Sequence, residues 1–183
     1  MNNYTRKTHN FYDGLKYSEQ FEDWKHQFYL DFFGRDAEVC PLIHSVSVQQ
    51  NVGYDRVVIS ANGFVNCIEE KVRGCAWRND VLLEYVHTFD SDPFPFQKPG
   101  WIEKNLQCNW IFYAYPKNKI GIFLPWPQLQ LVWYANKPKW IFDFPTFPAK
   151  NNGYTTDSVA VPVHVLDSAL RRITHVGLKG GEL

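Results

Sequence analysis

The chain has 183 residues with 19 basic and 19 acidic side chains, so its formal net charge is zero. Apolar residues make up 45% and charged residues 21%, a load that excludes intrinsic disorder, while the even charge excludes a tail-like, strongly basic nucleic-acid coat protein. A length within about 100–200 residues predicts one domain, 1–183, large enough to bury a real core. The start of the chain has no apolar signal-peptide region, and no window approaches the ~18 apolar residues of a spanning helix. Cys40, Cys67, Cys75 and Cys108 form no CxxC pair and no dense framework. That pattern predicts buried free thiols in a cytoplasmic protein rather than a metal site.

In chain order, Tyr17, Phe21, Trp24, Phe28 and Phe32 recur at helical spacing and predict an amphipathic helix over 17–33, with Ser18 as N-cap and Gly34 as the stop. A loop from Arg35 to Pro41 leads to a strand-like run, Ile43–Gln49. Arg56–Ile59 and Val65–Val72 are better strands, and Ala61-Asn62-Gly63 between them predicts a hairpin. Asp80–Val86 is a further strand. The Pro-rich run 92–100 reads as a loop, followed by a short helix near 101–106. Asn109–Tyr115 is apolar on both faces and therefore belongs in the middle of a sheet. Ile120–Leu124 and Leu129–Tyr134 read as strands, Ser158–Val161 as a last strand and Val165–Ile173 as a closing helix. The class expected is α/β, a mixed central sheet flanked by helices.

Charge is unevenly placed. Residues 10–92 hold fourteen acids and seven bases, whereas 93–150 hold seven lysines against Glu103 and Asp143. An acidic first half suits cation collection and a basic second half suits a polyanion; scattered solvated charge is the bland alternative.

The chemistry-bearing stretch runs from Gly53-Tyr54-Asp55-Arg56 to Glu69-Glu70-Lys71. Asp55 opens one hairpin strand, and Glu69 and Lys71 leave the same face of the next. The hairpin brings two carboxylates and one ammonium to one end of the sheet, while Glu70 points to the other face. Two carboxylates with free water positions describe a Mg²⁺ site, and a neighbouring Lys can orient a water and stabilise charge on a phosphate.

Asp55 followed by Glu69-Glu70-Lys71 resembles the motif of the PD-(D/E)xK nuclease superfamily, with Gly53–Val58 matching the context of that superfamily's Asp. Asp80–Tyr85, Gly100–Ile102 and Trp110–Tyr113 look like small nucleases of this type carried by phages and mobile elements. The likeness spans about residues 17–135 and its firm part is 55–71; a Pro before the Asp is absent, and a strand at 80–86 stands where a helix is usual. The resemblance implies a restriction-endonuclease-like core and a Mg²⁺- (or Mn²⁺-) dependent DNA hydrolase, endonuclease rather than exonuclease. Asp55 and Glu69 would be the metal ligands and Asp55, Glu69 and Lys71 the catalytic set. A strand and helix at about 158–175 would complete the domain, and two-fold duplex cuts would call for a homodimer.

Other residues fit either of two roles. Glu19 or Glu22 could approach the metal or sit on a solvated helix face, and Glu84 could be an outer ligand or an ion-pair partner for Lys or Arg. Gln49 and Gln50 could orient water or merely bond backbone, and Cys40 with His44 or Cys67 with Cys75 has no zinc spacing. Lys98, Lys104, Lys117, Lys119, Lys137 and Lys139, among Trp101, Trp110, Trp126, Trp133 and Trp140, suit a nucleic-acid groove. Trp110 and Trp133 lie in apolar runs and read as core; Trp126 and Trp140 could be either core or stacking surface. The alternative function is a catalytically inactive protein of the same fold that binds DNA or a host or phage protein.

Overall fold

The computed structural model describes residues 11–41, 53–75, 78–90 and 93–179. The strand-like run at 43–49 lies outside the described residues. Among them, nine strands form two sheets, accompanied by four α-helices.

Two helices replace the single one expected over 17–33: α1 (Phe11–Glu19) and α2 (Glu22–Phe33). The chain breaks where the Phe21 N–H turns back to the Ser18 carbonyl at 3.1 Å. The stop at Gly34 is as expected; its φ of 107° suits glycine, and its N–H donates to the Leu30 carbonyl.

The hairpin also forms. β2 (Arg56–Ile59) pairs antiparallel with β3 (Val65–Val72), Val57 opposite Cys67 and Ile59 opposite Val65, and the Gly63 N–H closes the turn on the Ser60 carbonyl. With β1 (Glu38–Val39), β6 (Trp110–Tyr115) and β7 (Ile120–Pro125) they make a mixed five-stranded sheet in the order β1-β2-β3-β6-β7. β3 runs parallel to β6, with Glu69 opposite Ile111 and Lys71 opposite Tyr113. β6 is interior, as its two apolar faces require; Ile111 through Tyr115 are all buried.

Between β3 and β6 the chain leaves to start a second sheet. β4 (Asp80–Phe89) and β5 (Phe96–Pro99) join β8 (Thr146–Asn151) and β9 (Tyr154–Pro162) in the order β5-β4-β9-β8. The strand expected at 80–86 is therefore real but belongs to another sheet, and one central sheet becomes two. The Pro-rich run hides an edge strand, where a proline's missing N–H costs no ladder bond. The short helix expected at 101–106 is one 3₁₀ turn, Trp101–Glu103.

The largest correction is Leu129–Tyr134, expected as a strand and found inside α3 (Trp126–Asp143). Its β-branched and aromatic residues favour a strand locally, but Trp126, Leu129, Trp133 and Trp140 recur at helical spacing and bury one stripe. α4 (Val163–Lys179) closes the fold and contains the helix expected at 165–173. Among the described residues no helix is long and apolar enough to cross a membrane.

The five-stranded sheet has a core on each face. Alternation along β6 sends Phe112 and Ala114 toward α2, where they pack with Tyr29, Val58 and Ile68. Ile111, Tyr113 and Tyr115 face the larger core with Val81, Leu83, Val159, Trp126 and Trp133.

Candidate active site

The same alternation sorts β3. Ile68 belongs with the α2 face, and Cys67 packs against the larger core, so Glu69 and Lys71 point toward the second sheet. Asp55 lies one residue before β2. Its N–H donates to the Ile68 carbonyl at 2.8 Å, and its Oδ2 accepts from the Glu70 backbone N–H at 2.7 Å. Lys71 Nζ is ion-paired with Glu69 Oε1. Glu69 and Lys71 keep 13% and 23% of their side chains exposed, so the cluster is half-buried but reachable. Asp55, Glu69 and Lys71 thus meet as the hairpin geometry requires.

Burial pushes the Asp55 carboxyl up to about 7, and the negative charge of Glu69 adds to the rise while Lys71 opposes it. Burial would lower Lys71, but Glu69 and Asp55 hold its ammonium above the ordinary value. Once Asp55 is ionised, two carboxylates against one ammonium leave an excess of negative charge in a partly dry site. A divalent cation would relieve that repulsion, and two carboxylates match the number of protein ligands that Mg²⁺ commonly takes. Among the described residues no group of three or more His, Cys, Asp or Glu converges as a richer metal site.

Glu70 has a different role. Behind the sheet its carboxylate accepts from Lys25 Nζ at 2.6 Å, Tyr29 Oη at 2.6 Å and Arg56 Nε at 2.8 Å. Burial alone would raise its carboxyl, yet Lys25 and Arg56 hold it below the usual range. Glu22 completes this network through Lys25 and through Arg56 Nη2 at 2.6 Å. Glu22 therefore serves the α2 face and not the Asp55 side; Glu19 is exposed on α1. The network was missed from sequence, although Glu70 in phase with Ile68 and Val72 is the mark of a charge on an apolar face.

Trp101 and Lys104 border the other side of the cluster. Lys71 Nζ stands 5.8 Å from the Trp101 ring centroid. Burial lowers the Lys104 ammonium, Lys71 lowers it further, and Glu69 and Glu84 oppose the fall. Glu84 lies 3.8 Å from Arg73 Nη1, an ion-pair partner as one of its two readings had it. Leu106 covers Gly53, two residues before Asp55; Gly53 has φ 77°, and a Cβ there would fall 2.7 Å from Leu106 Cδ2. The loop after the 3₁₀ turn is thereby pressed against the entry to β2.

The six candidate lysines sit on four different elements or their ends. Lys104 lies near Lys71, whose charge helps to lower the Lys104 ammonium, while Lys98 on β5 sits over the Phe89 and Phe96 rings. Lys117 and Lys119 are exposed at the turn between β6 and β7. Lys137 pairs with Glu103 at 2.6 Å, and Lys139 with Asp143. Trp126 and Trp140 are 3% and 2% exposed, which removes both as stacking surfaces; Trp101 and Trp133 are core as well. Of the four free cysteines only Cys108 is buried, and Cys75 is exposed, against the expectation of buried thiols throughout. Gln49, Gln50 and His44 lie outside the described residues.

No protein-family model, no curated protein and no solved structure matches this chain. The class that fold and cluster define is a two-sheet α/β protein with a carboxylate–carboxylate–ammonium cluster on a hairpin face.

Proposed function

We propose that the protein is a divalent-cation-dependent nuclease with a restriction-endonuclease-like core, cutting DNA internally. The observation that carries this reading is the meeting of Asp55, Glu69 and Lys71 on one face of the β2–β3 hairpin, with the Asp55 carboxyl raised by burial and by Glu69. The parallel seating of β3 against β6 gives the hairpin a buried support. Asp55 and Glu69 would hold Mg²⁺ or Mn²⁺, which when bound supplies Lewis acidity toward a phosphodiester. Lys71, charged and anchored by Glu69, orients the attacking water and offsets negative charge growing on the phosphate. Lys104 and Lys98 extend positive charge from the cluster along the second sheet, where a phosphate backbone can run. A cytoplasmic location and a homodimer for two-fold duplex cuts belong to the same reading.

The test is incubation with plasmid, single-stranded and branched DNA in Mg²⁺ and in Mn²⁺, beside Asp55→Asn and Lys71→Ala variants. Metal-dependent cleavage that falls at least about a hundredfold in both variants is expected. No cleavage of any substrate removes the enzyme reading and leaves an inactive, nucleic-acid- or protein-binding relative of the fold. Cleavage that survives both substitutions removes the site assignment.

A further inference from the structure

The four-stranded sheet has two unlike faces. Leu83, Val81, Val159 and Val161 enter the larger core. On the opposite face Tyr154, Thr156 and Ser158 alternate along β9, and their register partners on β4 are Phe89, His87 and Glu84. β5 adds Phe96 opposite Phe89 and Lys98 opposite His87. The hydrogen bonds agree with this sorting, because Thr156 Oγ1 meets both His87 Nδ1 at 2.8 Å and Asn151 Nδ2 at 3.1 Å.

This face adjoins the Asp55 cluster through Glu84, which lies 3.8 Å from Arg73 Nη1, two residues beyond Lys71. Glu84 and Lys104 both interact with the charge of Lys71. His87 follows; burial lowers its imidazole, Glu84 raises it, and Lys104 and Lys71 lower it again. Beyond it, Phe96, Phe89 and Tyr154 stand side by side across three strands. Phe96 and Phe89 are 4.8 Å apart and 2° from parallel; Phe89 and Tyr154 are 5.0 Å apart at 25°. The row ends at β5, the sheet's edge strand, where Phe96 is 46% exposed. Lys98 Nζ lies 5.2 Å from the Phe89 centroid and 5.6 Å from that of Phe96. Among the described residues no carboxylate pairs with Lys98.

We propose that Phe96 and Lys98 form a docking site for an unpaired nucleic-acid strand. A base stacks on the outer side of Phe96, extending the three-ring row, and the adjoining phosphate meets Lys98. Aromatic faces take any base, and one lysine supplies a phosphate contact, so the site reads an unstacked strand rather than a sequence. A duplex hides its base faces and gains nothing from the ring. The inference rests on the nuclease reading and names its substrate: DNA or RNA with an unpaired stretch beside the scissile bond.

The test uses the full chain in EDTA, where no divalent-cation chemistry occurs, and reads fluorescence anisotropy of labelled oligodeoxyuridylate, oligouridylate and a blunt duplex. Phe96→Ala is expected to weaken single-strand binding at least tenfold and duplex binding less than twofold, with Phe96→Trp restoring the loss. Lys98→Ala should lower the salt slope by about one unit. The tighter of the two single strands names the sugar. A single-strand loss under twofold, an equal loss on duplex, or no binding of any oligonucleotide overturns the inference. Thermal melts of the variants, expected to fall by only a few degrees because Phe96 loses one ring partner at an edge strand, exclude unfolding as the cause. Binding that follows this pattern without cleavage in Mg²⁺ removes the nuclease reading alone; cleavage with Phe96→Ala unchanged in binding removes only the docking site.

Discussion

The backbone N–H of Glu70 donates to Oδ2 of Asp55 on one side of the five-stranded sheet, while the Glu70 carboxylate is held by Lys25, Tyr29 and Arg56 on the other. A single residue of β3 therefore links the candidate catalytic face to a buried charge network behind it. Lys25 and Arg56 are 0% and 3% exposed, so their charges depend on Glu70 and Glu22 for compensation.

Glu70→Gln should consequently cost roughly 1–3 kcal/mol, measured as a shift in urea unfolding, because it leaves Glu22 as the remaining carboxylate for two buried cations. The wild-type pH dependence has a definite sign. A carboxyl held below its ordinary value contributes stability above the unfolded-state pKa, and that stability is lost as pH falls through the lower folded-state value. Acid should destabilise the wild type more steeply than the variant. A cost below about 1 kcal/mol would contradict the network's role.

Cation binding should depend on pH through Asp55. With its carboxyl pushed up to about 7, a divalent cation must displace a proton below that pH. Calorimetry in buffers of unlike ionisation enthalpy should show proton release that fades above about pH 7, with affinity rising to a plateau there. Asp55→Asn should abolish both. The metal-free protein shows the converse in stability: a carboxyl raised above its unfolded value of about 3.9 makes stability fall as pH rises from about 4 to about 7, with no further change above.

Gly100→Ala should destabilise by roughly 1–3 kcal/mol through overpacking. A Cβ at this position would lie 2.1 Å from the Glu84 carbonyl oxygen, although its φ of −68° is ordinary for any residue. Space is the obstacle, and relieving it means moving the turn that carries Trp101 off β4. A melting temperature equal to the parent's would refute this close packing.

Pro138→Ala should stabilise the protein. Pro138 is exposed within α3, where it removes a helical N–H donor and crowds the carbonyl four residues earlier. The gain is of order 1 kcal/mol, less than the full helix-propensity difference because proline also restricts the unfolded chain. Thermal unfolding with an unchanged or lowered midpoint would count against it.

The hairpin, the interior seat of β6 and the opposite facing of Glu69 and Glu70 are legible in the amino acids because each depends on local rules. A two-residue alternation, a Gly63 turn and an unbroken apolar run need no knowledge of distant partners. The site's three residues inherit that legibility, since all of them sit within one hairpin.

The remaining features arise from contacts between distant parts of the chain. Leu129–Tyr134 has strand-like composition, but a stripe from Trp126 to Trp140 buries against the core only as a helix, and burial outweighs propensities worth tenths of a kcal/mol each. β4 leaves the hairpin's sheet because β9, some seventy residues later, offers it a ladder of nine residue pairs. The ladders of β4 with β9 and with β5 set Tyr154, Phe89 and Phe96 in one row beside Lys98. Charge and aromatic content were visible from the start. Which of those side chains share a surface is set by long-range strand pairing, whose energy lies in contacts that no local window contains.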